Sequence, residues 1–400
     1  MCAPGGRRRG RRTRIPAPDE RPYDAILIGV GLASTACARA LAAAGLRVGL
    51  VEGAGRSRSL AVDGGLVDAG LLARVFAIAP EALPLDRLVD ARQGFRGDAG
   101  AVTLDPIAPM ATRQAFRRDV LEDWALERAT ETGAEYLEGF TEGTVVPVAD
   151  GSLTLMSEDG ARRLSARMIA LCEGSDPRIA LRIGLRPDYG PAEQIHFAKT
   201  WIDTPSGADI PYRRGSWRTS WGMPVEVAVT PFESGATVWL AARIENVMRS
   251  SRSAVNALDD LFASRAWPAL LPEGGRAATG VELVALRSGS APDRFALDNL
   301  LVGVDASGMI DPRAVDRFDN ALRSGEPLST WMRARLTGEW PTEGDASWDD
   351  MAGRLVRELA QERGTFRDSR ASGFLEEATC DGPMSVRRLR DGVLTRLRRR

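Results

Sequence analysis

Apolar positions near the start of the chain fall into short runs divided by glycine. Ala25–Ile28 is an unbroken apolar tetrad of the kind buried in a parallel sheet. Ala33–Ala44 is alanine-rich and predicts a helix that Gly45 stops, and Arg47–Val51 predicts a second strand. Together they make a βαβ beginning. Residues 60–110, rich in Gly, Pro and Asp, predict loops and short strands crossing between domains. Helical character returns at Phe116–Thr132, with Gly133 as its stop. Residues 145–174 predict a β-meander that turns at Asp150-Gly151 and Asp159-Gly160 and ends in the buried strand Met168–Cys172. Residues 195–245 alternate in strand fashion and carry Trp201, Trp217, Trp221 and Trp239. Ala254–Ala263 predicts a helix, residues 299–312 a strand running into a loop, and Ala321–Leu336 a further helix.

Composition narrows the function classes. A chain of 400 residues with 44% hydrophobic and 27% charged residues has enough apolar surface for two or three domains. Its net charge of −1 argues against nucleic acid as a partner. The basic residues are almost all arginine, and Lys199 is the only lysine. The four cysteines (Cys2, Cys37, Cys172, Cys380) form no CxxC pair, and His196 is the only histidine. That pattern predicts no metal site, no disulfide framework and a reducing cytoplasmic setting. No apolar run reaches the length of a membrane-spanning helix. Residues 1–21 read as a disordered Arg-rich tail without the apolar region of a secretory signal.

The turn between the first strand and helix, Gly29-Val30-Gly31-Leu32-Ala33-Ser34, has the spacing of a dinucleotide-binding motif. Gly29 permits the tight turn, Gly31 lets backbone approach a pyrophosphate, and Ser34 is small enough for helix–strand packing. Glu52 ends the second strand 21 residues after Gly31, near the ~20-residue spacing of a ribose-binding carboxylate. These features predict a Rossmann-type α/β fold. Later segments follow in the order TRQAFRRDVLEDWALERATETGA, MIALCEGSDPRIALRIGLRP and LLVGVDASGMIDPRAVDRFDNALRSG. With the N-terminal motif, they resemble the FAD-dependent oxidoreductases of the geranylgeranyl reductase and electron-transfer flavoprotein–quinone oxidoreductase (Fix-type) superfamily.

The resemblance implies a three-layer FAD-binding domain with an inserted antiparallel-sheet substrate domain, as in aromatic-hydroxylase-like flavoproteins. Residues 22–70, 106–190 and 280–337 would form the first, residues 71–105 and 191–279 the second, and 338–400 a helical extension. It implies FAD as cofactor, with Gly29, Gly31 and Ser34 at the diphosphate, Glu52 at the ribose, Arg118 on the cofactor and Asp305 on the ribityl chain. Glu173 stands where the family's Asp-Gly loop has aspartate, and Ala61–Gly65 resembles its glycine pair near the flavin. Trp221 and Pro224 would line the substrate. Val304 departs from the late Gly-Asp motif, and Val315 and Arg317 stand where the family has glycines that admit the ring. Such side chains crowd the ring, or else the Arg317 guanidinium faces its N1–O2 edge. No side chain is singled out as a catalytic acid or base. The implied reaction is dehydrogenation or reduction of a largely apolar small molecule, with an unidentified electron donor or acceptor. Two alternatives stand open: a flavin-free partner subunit or binding protein, and a flavin monooxygenase. Residues 385–400 carry Val386, Leu389, Val393 and Leu397 at helical spacing among seven arginines. They suggest peripheral contact with an anionic membrane by an otherwise cytoplasmic protein.

Overall fold

The computed structural model describes residues 21–52, 64–89, 92–106, 113–138, 140, 143–174, 177–186, 194–205, 210–265, 267–271, 276–277, 280–287, 294–303, 317–339 and 347–355. Strands and helices are numbered in chain order. A central sheet holds five parallel strands: β1 (Tyr23–Ile28), β2 (Val48–Val51), β8 (Glu135–Leu137), β11 (Arg163–Leu171) and β19 (Leu300–Val302). Their order is β19-β11-β1-β2-β8, with β18 (Ala296–Leu297) antiparallel at the β19 edge. A hairpin of β9 (Thr144–Pro147) and β10 (Leu153–Met156) continues antiparallel from the first half of β11, which is the meander read from the sequence.

Alternation along β1 sends its side chains to two different cores. Ala25 and Leu27 pack with Cys37 and Leu41 of helix α1 (Leu32–Ala43) and with Leu328 and Met332 of the long helix α8 (Arg317–Thr337). Ile26 and Ile28 pack on the opposite face with the β9–β10 hairpin and the short helix α4 (Arg178–Arg182). The result is three layers, as expected. α8 crosses α1 at Gly325, where a Cβ would lie 2.6 Å from the Ala33 carbonyl oxygen. Only glycine permits that approach.

A three-stranded sheet comprises β3 (Gly64–Val67), β4 (Leu88–Val89) and β7 (Arg113–Arg117), in the order β3-β7-β4. β7 passes directly into α3 (Arg118–Glu131), so Phe116 and Arg117, expected in a helix, finish a strand instead. A larger sheet has the order β16-β12-β15-β14-β13-β5-β6. Its members are β5 (Arg92–Asp98), β6 (Val102–Pro106), β12 (Gln194–Asp203), β13 (Tyr212–Arg218), β14 (Pro224–Phe232), β15 (Gly235–Arg243) and β16 (Arg276–Ala277), with β17 (Glu282–Arg287) also on β12. It is antiparallel except where β5 runs parallel to β13. One face is covered by α6 (Ala254–Ala263), whose bounds match the expectation. Phe197, Phe232 and Trp239 on the other face pack with Leu66, Val89 and Ala115 of the three-stranded sheet. The segment 71–105, assigned whole to the substrate side, divides. β5 and β6 join the large sheet, while α2 (Ala69–Phe76) packs with α1, α3 and α8.

Candidate functional site

The parallel strands end together at one edge of the central sheet, where open α/β sheets place their ligands. Between β1 and α1, Gly29 has φ +110°, and a Cβ there would lie 2.0 Å from the Cys172 carbonyl oxygen. Packing against the end of β11 therefore demands this glycine. Gly31 differs. Its φ is −107°, open to any residue, and a Cβ placed on it would meet nothing within 4 Å. Neither backbone strain nor a neighbour requires a glycine at this position. The Ser34 hydroxyl accepts from the Gly31 N–H at 3.0 Å and reaches the Gly31 carbonyl at 3.0 Å, and Thr35 Oγ1 donates to that carbonyl at 2.8 Å. Ser34 thus fixes the turn and is fully buried beneath it. No acidic residue stands in the first turn of α1, so its N–H groups and positive dipole end are left for an anion.

Glu52 follows β2 at the same edge, and its Oε2 accepts a 3.1 Å hydrogen bond from the hydroxyl of Tyr136 on β8. Tyr136 went unnoticed in the sequence because it lies 84 residues from its partner. Arg118 opens α3, and its Nε donates to the buried carboxylate of Glu122 at 2.7 Å. β7 delivers it there, since Arg117 is paired with Gly64 of β3. Glu173, after β11, accepts from the N–H groups of Ile179 and Ala180 at 2.9 and 3.1 Å and so caps α4. Gly303 continues the sheet through its N–H to the Leu171 carbonyl at 2.8 Å. Asp305, Val304 and Val315 lie outside the described residues, as do Ala61–Asp63 and residues 385–400.

The contact of β3 with the large sheet and the start of α8 is tightly packed. A Cβ on Gly64 would lie 2.6 Å from Phe232 Cζ, and one on Gly65 would lie 2.5 Å from Phe318 Cε2. Arg317 Nη2 donates to the Gly64 carbonyl at 3.4 Å, with its guanidinium 4.5 Å from the centre of the Phe318 ring. Asp319, in the first turn of α8, pairs with the buried Arg113 and accepts the Asp68 N–H at 3.0 Å. Gly64 is therefore the point where the large sheet, the three-stranded sheet and the start of α8 meet.

Register sorts the large sheet's side chains by face. Phe197, Lys199 and Trp201 of β12 lie opposite Ala241, Trp239 and Thr237 of β15, on the face turned to the three-stranded sheet. Pro224 shares that face by alternation with Glu226 and Ala228, at the first residue of β14. Trp221 does not. It sits in the β13–β14 turn among the residues packed beneath α6, with the Arg252 guanidinium 4.4 Å from its ring centre. Trp221, expected beside Pro224 at the substrate, thus packs on the helix-covered side of the sheet, and Pro224 on the other. His196 also points to that side, and burial holds its pKa below the usual 6.5. Among the described residues no group of His, Cys, Asp and Glu could hold a metal ion, and no helix is long and apolar enough to cross a membrane.

No family model matches the chain. Protein FixC of Escherichia coli O157:H7 is 22% identical over 368 residues, spanning 87% of this chain and 83% of its own length. The probable electron transfer flavoprotein-quinone oxidoreductase YdiS of Escherichia coli K12 is 26% identical over 175 residues, 42% of this chain and 40% of its own. A flavoprotein/dehydrogenase from Cytophaga hutchinsonii has a similar structure, with a TM-score of 0.67 at 16% identity, covering 86% of this chain and 85% of its own. A geranylgeranyl bacteriochlorophyll reductase-like protein from Thermoplasma acidophilum gives 0.63 at 16% identity, covering 86% and 84%. At such identities the two structures establish the fold.

Proposed function

We infer that this chain, an FAD-dependent oxidoreductase of the superfamily that includes FixC-like proteins and geranylgeranyl reductases, holds FAD with its ADP half across the start of α1. The observation that carries the reading is Gly31, a glycine with open space where its side chain would be and no conformational need to be glycine. A pyrophosphate fills such a space, held by the free N–H groups of the first helical turn. Glu52 takes the adenosine ribose hydroxyls, with Tyr136 fixing its carboxylate. Arg118, from the start of α3, balances the diphosphate charge, and Asp305 takes the ribityl chain.

The bound flavin would supply the hydride or electron transfer. The protein's own residues bind, orient and exclude water. Phe197, Trp239 and Phe232, all buried, hold the large sheet against the three-stranded sheet beside Gly64. The substrate is a largely apolar small molecule that reacts at a carbon–carbon or carbon–nitrogen bond. The second partner is an electron carrier, in keeping with the electron-transfer relatives, and contact with an anionic membrane would run through residues 385–400.

One observation favours a second reading, a flavin-free partner subunit or binding protein. Gly64 and Gly65 are packed beneath Phe232 and Phe318, and Arg317 occupies the start of α8. Purification and ligand titration decide between the two. Flavin absorbance in the isolated protein, with FAD released stoichiometrically on denaturation, is the expected result. Protein that is colourless and takes up neither FAD nor ADP overturns the first reading, while uptake of ADP without FAD supports the second.

A further inference from the structure

Asn320 lies in the first turn of α8 and is fully buried. Neither its Oδ1 nor its Nδ2 has a hydrogen-bond partner among the described residues. A buried amide with both ends unmet is costly, and folded proteins rarely leave one without a reason. Its neighbours are well served: Asp319 has Arg113 and the Asp68 N–H, and Ser324 Oγ donates to Ala321 at 2.7 Å.

Helical spacing shows where Asn320 faces. It shares a stripe with Ser324 and Trp331, four and eleven residues further on. Trp331 lies 6.0 Å from the ring of Trp348, whose indole N–H donates to the Val302 carbonyl at 3.0 Å. The start of α8 itself stands beside the start of α1, since Phe318 and Leu322, two residues to either side of Asn320, pack with Leu32 and Ala36. The chemistry of the unmet atoms narrows the ligand. A phosphate oxygen accepts only and would satisfy Nδ2 alone, whereas a hydroxyl both donates and accepts and suits the whole amide.

We propose that Asn320 is a cofactor-binding residue whose amide takes the hydroxyls of the flavin's ribityl chain. This rests on the reading that the chain holds FAD. The test compares the full-length protein with Asn320→Leu, which keeps the branching of the side chain and removes its polar atoms. Flavin fluorescence quenching gives FAD affinity, ADP titration serves as the control, and thermal unfolding without ligand reports on the fold. The leucine variant should bind FAD about 10- to 100-fold more weakly. Its ADP affinity should be unchanged, and its ligand-free melting temperature equal or higher because an unmet polar group has gone. FAD analogues lacking each ribityl hydroxyl in turn give a second measurement on the unaltered protein, and at least one should bind more weakly. If the parent binds FAD and the leucine variant binds it as tightly, this inference alone falls. It falls equally if FAD and ADP affinity drop together with a lower melting temperature, or if all three analogues match FAD. A parent that takes up no FAD overturns the functional reading and this inference together.

Discussion

Replacing Gly31 by valine separates what the fold requires from what the ligand requires. The added Cβ meets nothing within 4 Å, and the backbone at φ −107°, ψ −177° is one that valine adopts freely. The folding cost is then only that of a poorer helix N-cap, up to about 1 kcal/mol. Binding should suffer far more, because the side chain occupies the space left for the pyrophosphate. Displacing the anion from two N–H groups of the first turn removes about 1.5–3 kcal/mol each, or roughly two to four powers of ten in affinity. Ligand at 100 times the parent's Kd adds about 2.7 kcal/mol of stability by mass action, and the variant should show almost none of it. The assay is thermal unfolding with and without FAD or ADP, together with the flavin content of purified protein. Gly29→Val serves as contrast: its Cβ would lie 2.0 Å from the Cys172 carbonyl oxygen, so loss of folded protein is expected. A Gly31→Val protein that retains the parent's flavin content and ligand-induced shift would refute the reasoning and leave the motif purely structural.

Three further outcomes follow from contacts elsewhere in the molecule. Tyr136→Phe removes the 3.1 Å bond to Glu52 and should weaken ADP binding by about 0.5–1.5 kcal/mol, read by calorimetry. Arg317→Gly decides between the two roles open to that side chain: tighter FAD with unchanged ADP affinity means that Arg317 crowds the ring, whereas weaker FAD or a lower reduction potential means that it supports a reduced, anionic one. His196 titrates below its unfolded value of 6.5 because burial disfavours its charged form. The unfolded chain therefore binds the proton more readily, and stability should be full above pH 6.5 and decline as pH falls through the depressed folded value. Since this is the only histidine, His196→Gln should reduce that decline in denaturant titrations. An unchanged pH profile would count against it.

Much of the nucleotide half was legible because its signals are local. Glycines at 29, 31 and 45 punctuate β1, α1 and β2, and the meander turns at Asp150-Gly151 and Asp159-Gly160; all of these but Gly31 have positive φ. Junctions without punctuation were not legible. β7 runs into α3 at Arg117 with no Gly, Pro or side-chain cap, so a continuous helix was the natural reading of the segment. α8 likewise starts at Arg317, before the apolar spacing that marks Ala321–Leu336. The role of Trp221 depends on which sheet face it covers, and that is set by strand register, which its aromatic character does not reveal. Other features exist only in three dimensions: the Arg113–Asp319 pair spans 206 residues, and the tight seating of Gly64 depends on Phe232 from another sheet.

The arginine bias of the chain leaves its one primary-amine side chain in an unusual place. Lys199 is 1% exposed in the middle of β12, between Phe197 and Trp201 and opposite Trp239. A lysine-specific protease therefore has a single peptide bond to cut, and it lies inside the best-paired strand of the large sheet, with β15 on one side and β17 on the other. Cleavage has to wait for that sheet to open, so the rate at which two fragments appear on a gel reports directly on the opening equilibrium. A ligand that stabilises the closed sheet would slow the cut as its occupancy rises. The same experiment thus becomes a label-free screen for substrates, built into the sequence by the rarity of one residue.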